Sequence, residues 1–151
     1  MKTALSLALL PMILAVAACA PPDDADSVIS VQELEPNDTE ATATSMGAGG
    51  FYTFFGTCAE GESADWFRVT SKEGRVRGEL YVTTHIPGVS EFTAPQVRLS
   101  LLGASLEKLD EAVVLDEASE TFSADVVAGP VFLELACPGE AMWFQGTLHV
   151  P

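Results

Sequence analysis

From Phe51 to the last residue, apolar side chains recur at every second position, and that period constrains the fold class more than any other feature. Val76, Leu80 and Val82 alternate with Arg75, Arg77, Glu79 and Tyr81, and Val97, Leu99 and Leu101 alternate with Gln96, Arg98 and Ser100. Successive residues of an extended chain face opposite sides, so each such segment reads as a strand with one buried face. The pattern returns at Val131, Leu133 and Leu135. It returns again at Met142, Phe144, Leu148 and Val150, whose outward partners are Trp143, Gln145, Thr147 and His149. Further short strands are expected at 51–57, 66–70, 112–115 and 121–124. Turn chemistry separates them at Glu60-Gly61, Glu73-Gly74, Pro87-Gly88, Gly103, Gly129-Pro130 and Pro138-Gly139. About eight strands of this kind predict an all-β fold, an antiparallel, jelly-roll-like β-sandwich. Helix is confined to a turn or two at 39–45 and at 105–112, neither with an apolar stripe. Residues 28–31 read equally well as a first strand or as the end of a spacer.

The amino-terminal end carries an address. Met1-Lys2 gives a positive start, 4–18 is almost wholly apolar apart from Pro11, and Val16-Ala17-Ala18 closes the run with small residues. That is the pattern of a secretory signal peptide, and it falls short of the roughly 20 residues of a spanning helix. Val16-Ala17-Ala18-Cys19 resembles the lipobox of bacterial lipoproteins. The resemblance implies that 1–18 is removed, that the Cys19 thiol receives a diacylglycerol, and that the new amino terminus takes a fatty acyl chain such as palmitate. Acyl chains contribute about 0.8 kcal/mol per buried methylene, so such an anchor holds a protein on a bilayer with no spanning helix. Ala20 stands where an aspartate would favour inner-membrane retention, so the same resemblance implies export to the outer membrane. The alternative is a secreted protein with a free Cys19. Residues 19–32, with two prolines and a run of acids, have the composition of a solvated tether.

Cys58 and Cys137 end two of the expected strands. In an exported protein whose Cys19 carries lipid they are the remaining thiols, and a Cys58–Cys137 disulfide is expected. The alternative is two free buried cysteines. The chain carries 22 acidic and 7 basic residues, a net charge of −15. Such a surface repels nucleic acid and anionic headgroups, and suits cations, polyols or basic partners.

One polar stretch, Glu33-Leu34-Glu35-Pro36-Asn37-Asp38-Thr39, marks the boundary between tether and domain, which is read as 33–151. Pro36 keeps Glu35 out of the helical region and fixes its own φ, so the segment runs extended and Glu33, Glu35 and Asn37 project together. These are hard oxygen donors of the kind calcium takes, and the acidic loop at Glu62 and Asp65 supplies more. The other reading of this stretch is a helix cap at Asp38 or Thr39 with Glu33 and Glu35 solvated.

Glu35-Pro36-Asn37-Asp38-Thr39, then Asp65-Trp66-Phe67-Arg68-Val69, then Gly129-Pro130-Val131-Phe132-Leu133-Glu134-Leu135 resemble the bacterial pre-peptidase C-terminal domain. That family is a β-sandwich of about this size that includes the collagen-binding modules of clostridial collagenases. The resemblance implies a calcium site at Glu33, Glu35, Asn37, Asp38, Glu62 and Asp65 with the backbone carbonyl of Trp66. Three positions depart from the family pattern. Ser63 replaces a second aspartate, Pro130 a polar residue, and Trp143-Phe144 a common tyrosine.

No Gly-x-Ser-x-Gly, His-Glu-x-x-His, Cys-x-x-Cys or phosphate loop occurs. His85 reads as a turn residue, and His149 lies on an outward strand face. The sequence therefore predicts no enzyme. It predicts a lipid-anchored binding or accessory module at the envelope, with the membrane and a protein or polysaccharide as partners. The alternative is an accessory subunit or chaperone of a separately encoded enzyme such as a peptidase.

Overall fold

The structure is a computed structural model that describes residues 27–83, 96–115, 118–137 and 142–151. The leader, Cys19, most of the tether, His85, Pro87-Gly88 and Pro138-Gly139 lie outside the described residues. The described part is all-β, with no helix. It holds ten strands: β1 (Val28–Gln32), β2 (Thr44–Ala48), β3 (Gly50–Cys58), β4 (Ala64–Ser71), β5 (Gly74–Thr83), β6 (Val97–Leu102), β7 (Lys108–Val114), β8 (Ser119–Val126), β9 (Gly129–Ala136) and β10 (Met142–Val150). They form two five-stranded sheets in the orders β1-β3-β10-β5-β8 and β2-β4-β9-β6-β7. The two sheets pack face to face as the expected sandwich. Apart from the β6–β7 hairpin, the chain changes sheet at each step, so the pairings are long-range and the core closes only when both sheets are present.

The period-two pattern maps directly onto the core. Phe54, Phe67, Val76, Leu80, Val82, Leu99, Leu133, Leu135 and Phe144 point between the sheets and are buried. Burial of such side chains is worth about 1.5–3 kcal/mol each, which is why the alternation is decisive for fold class. Phe67 holds the aromatic centre, its ring 5.2 Å from Phe54 and 6.0 Å from Phe144.

The structure adds to the expected plan at both sheet edges. Val28–Gln32 is a strand and pairs with β3, in parallel, from Val28 opposite Phe51 to Gln32 opposite Phe55. The ladder thus starts five residues ahead of Glu33. At 39–45, Thr42 donates its backbone N–H to Thr39 O at 3.0 Å in a single turn, and β2 then pairs in parallel with β4. The sandwich is therefore not wholly antiparallel, because each sheet carries one parallel edge pair.

The expected helical turns at 105–112 are corrected. Gly103 N donates to Glu107 O and Leu106 N to Gly103 O, both at 3.0 Å, and Leu106 adopts a φ of 61°. That left-handed residue closes a tight hairpin between β6 and β7. The backbone bonds a helix would need go instead to the β6 ladder, from Leu102 opposite Lys108 onward.

Candidate metal centre at one end of the sandwich

The segment 33–38 spans the gap between the two sheets. Glu33 N donates to Phe55 O at 3.0 Å, continuing the β1–β3 ladder. Leu34 N donates to Thr44 Oγ1 at 2.9 Å, and four residues on from Glu33 the Asn37 carbonyl accepts the Trp66 N–H at 2.9 Å, on β4. The segment does not run extended as expected from Pro36: it bends at Glu35, where the Glu35–Pro36 peptide is cis, and so crosses from one sheet to the other.

The strand alternation places Asp65 in line with Phe67 and Val69, pointing inward at the end of the core. Its side chain is fully buried, as is that of Asn37. Carboxylate oxygens of Glu33, Glu35 and Asp65 lie within 4.8 Å of one another, and so do those of Glu35, Asp38 and Glu62. The two groups share Glu35, so all five acids form one continuous cluster. The structure therefore brings together every acidic side chain the sequence nominated.

The cluster is poor in donors. Glu33 Oε1 accepts from Thr57 N at 2.5 Å and Thr57 Oγ1 at 3.2 Å, but Glu33 Oε2 is buried with no hydrogen-bond partner among the described residues. Glu35 Oε2 accepts from Asn37 N at 3.2 Å, and Glu62 Oε2 from Ala59 N at 2.6 Å. Asp65 Oδ2 lies 3.6 Å from Cys58 Sγ and 3.5 Å from Cys137 Sγ. Those sulfurs are bonded to each other and carry no hydrogen, so they give Asp65 packing contact and no proton.

One end of the Asn37 amide sits 2.9 Å from Asp65 Oδ1 and 3.2 Å and 3.3 Å from the two Glu35 oxygens. With its NH2 turned inward, Asn37 donates to both acids. With its oxygen turned inward, it adds a further acceptor to the ring, the orientation a cation selects. None of the described Lys or Arg side chains pairs with any of these acids, since the ion pairs Arg75–Asp125, Arg98–Glu111 and Lys108–Glu111 all lie elsewhere.

The titration behaviour follows from this geometry. Burial, then the charges of Glu33, Glu62 and Glu35, push the Asp65 carboxyl up to about 8. Glu33 is also raised by burial, against the lowering effect of its Thr57 bonds, and Glu35 is raised by burial and then by Glu62. A group of carboxyls held above their ordinary range by desolvation and mutual repulsion has two ways of relaxing, by binding protons or by binding a cation.

Two features of the site escaped the sequence reading. Thr57 supplies the only donors to Glu33 among the described residues, and Gly56 makes room for it, because a Cβ at Gly56 would overlap the Glu33 carboxylate and the Phe144 ring. A glycine inside the apolar strand Phe54-Phe55-Gly56-Thr57 was the available signal, since such a residue marks a close approach. Trp66 is placed at the edge of the cluster by its backbone N–H, while its ring packs 6.3 Å from Phe132, away from the acids.

The Cys58–Cys137 disulfide is present and closes a separation of 79 residues. It ties the end of β3 to the end of β9, directly beneath Asp65. A disulfide belongs to an oxidising, extracytoplasmic compartment. No described helix is long and apolar enough to cross a membrane.

Fold and site together define a disulfide-bonded β-sandwich with a carboxylate cluster at one end, built around the buried Asp65. No protein-family model matches the sequence, and no curated protein does. Among solved structures, the chain is similar to the pre-peptidase C-terminal domain of collagenase from Bacillus anthracis, with 12% identity and a TM-score of 0.50 over 70% of this chain and 93% of that one. It is also similar to the mitogen derived from Yersinia pseudotuberculosis, with 11% identity and a TM-score of 0.45 over 68% of this chain and 87% of that one. The periplasmic inhibitor of g-type lysozyme from Salmonella Typhimurium aligns at 9% identity with a TM-score of 0.37, over 82% and 97% of the two chains. At these identities the likeness is one of fold. The first of the three agrees with the sandwich fold that the resemblance implies, and the site is argued from the residues of this chain.

Proposed function

We propose that this chain is a non-enzymatic binding or accessory module of the bacterial envelope, held at the outer membrane by lipid on Cys19 and stiffened by calcium at the acidic end of the sandwich. The observation that carries the calcium reading is Asp65, fully buried among Glu33, Glu35 and Glu62 with no basic partner among the described residues. The orphaned Glu33 Oε2 and the Asn37 amide, whose end lies 2.9 Å from Asp65 Oδ1, fit the same reading. Calcium takes roughly six to eight oxygen ligands and tolerates irregular geometry, and Glu33, Glu35, Asp38, Glu62, Asp65, the Asn37 amide oxygen and the Trp66 carbonyl are a set of that size and chemistry. When bound, the ion supplies positive charge to a cluster that otherwise has none.

The chain's own part is architectural. Glu33 extends from β1, Asp65 lies at the start of β4, and the 33–38 segment connects them, so closing the cluster ties the two sheets together at this end of the sandwich. The family to which the resemblance points accompanies secreted peptidases, and this chain carries neither the Gly-x-Ser-x-Gly nor the His-Glu-x-x-His motif. The module accordingly acts on a partner in trans.

The test is thermal unfolding of the purified protein with calcium and with chelator. The melting temperature is expected to rise with the ion by several degrees, and Glu35→Ala combined with Asp65→Ala is expected to abolish the response. An identical melting curve in calcium and in chelator would overturn the calcium reading.

A further inference from the structure

The acidic end is not the only built feature. On the outer face of the β1-β3-β10-β5-β8 sheet a groove of about 590 Å³ runs across the strands, far from the metal cluster in register, and its volume lies within the roughly 300–1,000 Å³ of small-molecule sites. The strand registers define its shape. Phe51, His149, Arg77 and Ser123 lie opposite one another along one row. Two residues further along each strand comes a lower row, Thr53, Thr147, Glu79 and Thr121, and then Phe55, Gln145 and Tyr81. The first row thus forms an aromatic-bearing ridge, the second a floor of three threonines and Glu79, and Phe55, Gln145 and Tyr81 stand beyond the residues that line the groove.

The ridge is pre-organised. The Phe51 and His149 rings stack with centroids 4.3 Å apart, and Arg77 Nε donates to His149 Nδ1 at 3.4 Å. Phe51 nonetheless stays 42% exposed. The floor's polar groups are unspent, because the side chains of Thr53, Glu79, Thr121 and Thr147 have no hydrogen-bond or ion-pair partner among the described residues. Charge is balanced here, with Arg75 and Arg77 against Glu79 and Asp110 lining the same groove, on a chain whose net charge is −15.

We propose that this face binds a neutral glycan. A sugar ring offers an apolar C–H face that matches the exposed Phe51 ring, and hydroxyls that match threonine hydroxyls, a carboxylate acceptor and a guanidinium donor. A polyanion is repelled by the surrounding surface, and a polycation is drawn to the acidic remainder of the molecule in preference to an electroneutral groove. A peptide adding as a strand requires a free sheet edge, whereas the centre of this groove crosses β3, β10 and β5, whose backbones are already paired on both sides. This inference names a ligand class for the binding module proposed above and rests on that reading, at a separate site.

The experiment is native affinity electrophoresis of the full chain through gels containing a soluble β-glucan, a mannan, a xylan or an α-glucan, with alginate and gelatin as polyanionic and polypeptide counterparts. At least one neutral glycan is expected to retard the protein, with alginate and gelatin inert. Phe51→Ala and Glu79→Ala are each expected to weaken retardation at least tenfold, with the melting temperature and its calcium response unchanged. Absence of retardation by every neutral glycan, undiminished retardation of both variants, or equal retardation by alginate or gelatin would overturn the proposal. Because calcium response is read on the same samples, a failed glycan site is distinguished from a failed calcium site.

Discussion

Replacing Asp65 with asparagine removes a charge from a position that has neither solvent nor counter-charge, and the consequence can be worked out from the geometry. In the folded chain the Asp65 carboxyl is held up at about 8 by burial, then by Glu33, Glu62 and Glu35, against an ordinary value of 3.8. Through that window the folded protein keeps a proton that the unfolded chain has released. The stabilising contribution is therefore complete below the unfolded value, declines as pH rises, and is lost once pH passes the folded value. At about 1.4 kcal/mol per pH unit, the interval from pH 5 to pH 8 amounts to about 4 kcal/mol. Asparagine keeps the shape of the side chain and does not titrate. Urea unfolding of both proteins in chelator, at steps between pH 5 and pH 8, isolates this residue from the rest of the acidic surface. The stability of Asp65→Asn relative to the parent is expected to grow by about 4 kcal/mol over that range. A difference constant to within about 1 kcal/mol, or one that moves toward the parent as pH rises, would refute the assignment of Asp65 as a desolvated, unpaired acid.

Two further predictions follow from the tether and the staple. Cys19→Ser is expected to release the protein from membranes and to end acyl labelling, and a variant that still sediments with membranes would contradict the lipid anchor. Cys58→Ser with Cys137→Ser opens a crosslink that spans 79 residues. The chain-entropy model assigns such a loop about 4–5 kcal/mol, so the urea midpoint is expected to fall sharply, and an unchanged midpoint would refute a stabilising role.

The fold was legible in the sequence because each strand buries one face, so the alternation of Val76, Leu80 and Val82 with Arg75, Arg77 and Glu79 is a direct trace of the core. The parallel edge pairs were not legible, since a parallel and an antiparallel strand with one buried face show the same alternation. The tightness of the β6–β7 hairpin was not legible either, because Gly103 marks a turn but Leu106 is an unusual residue for its left-handed position. At the site, the acids could be nominated from their oxygen chemistry. Gly56 and Thr57 could not be assigned to it, because nothing local says which strand will lie beside Glu33.

By itself, then, the sequence determined an all-β sandwich, a pairing for Cys58 and Cys137, and a set of acids with hard oxygen atoms, because periodicity and side-chain type are local properties. Only the tertiary structure decided that Asp65 is fully buried, that the disulfide lies directly beneath it, and that Glu33, Glu35 and Glu62 surround it without a counter-ion among the described residues. The groove across Phe51, His149 and Arg77 was decided the same way. These are consequences of strand register between segments far apart in the chain, and register is settled by how the whole core packs.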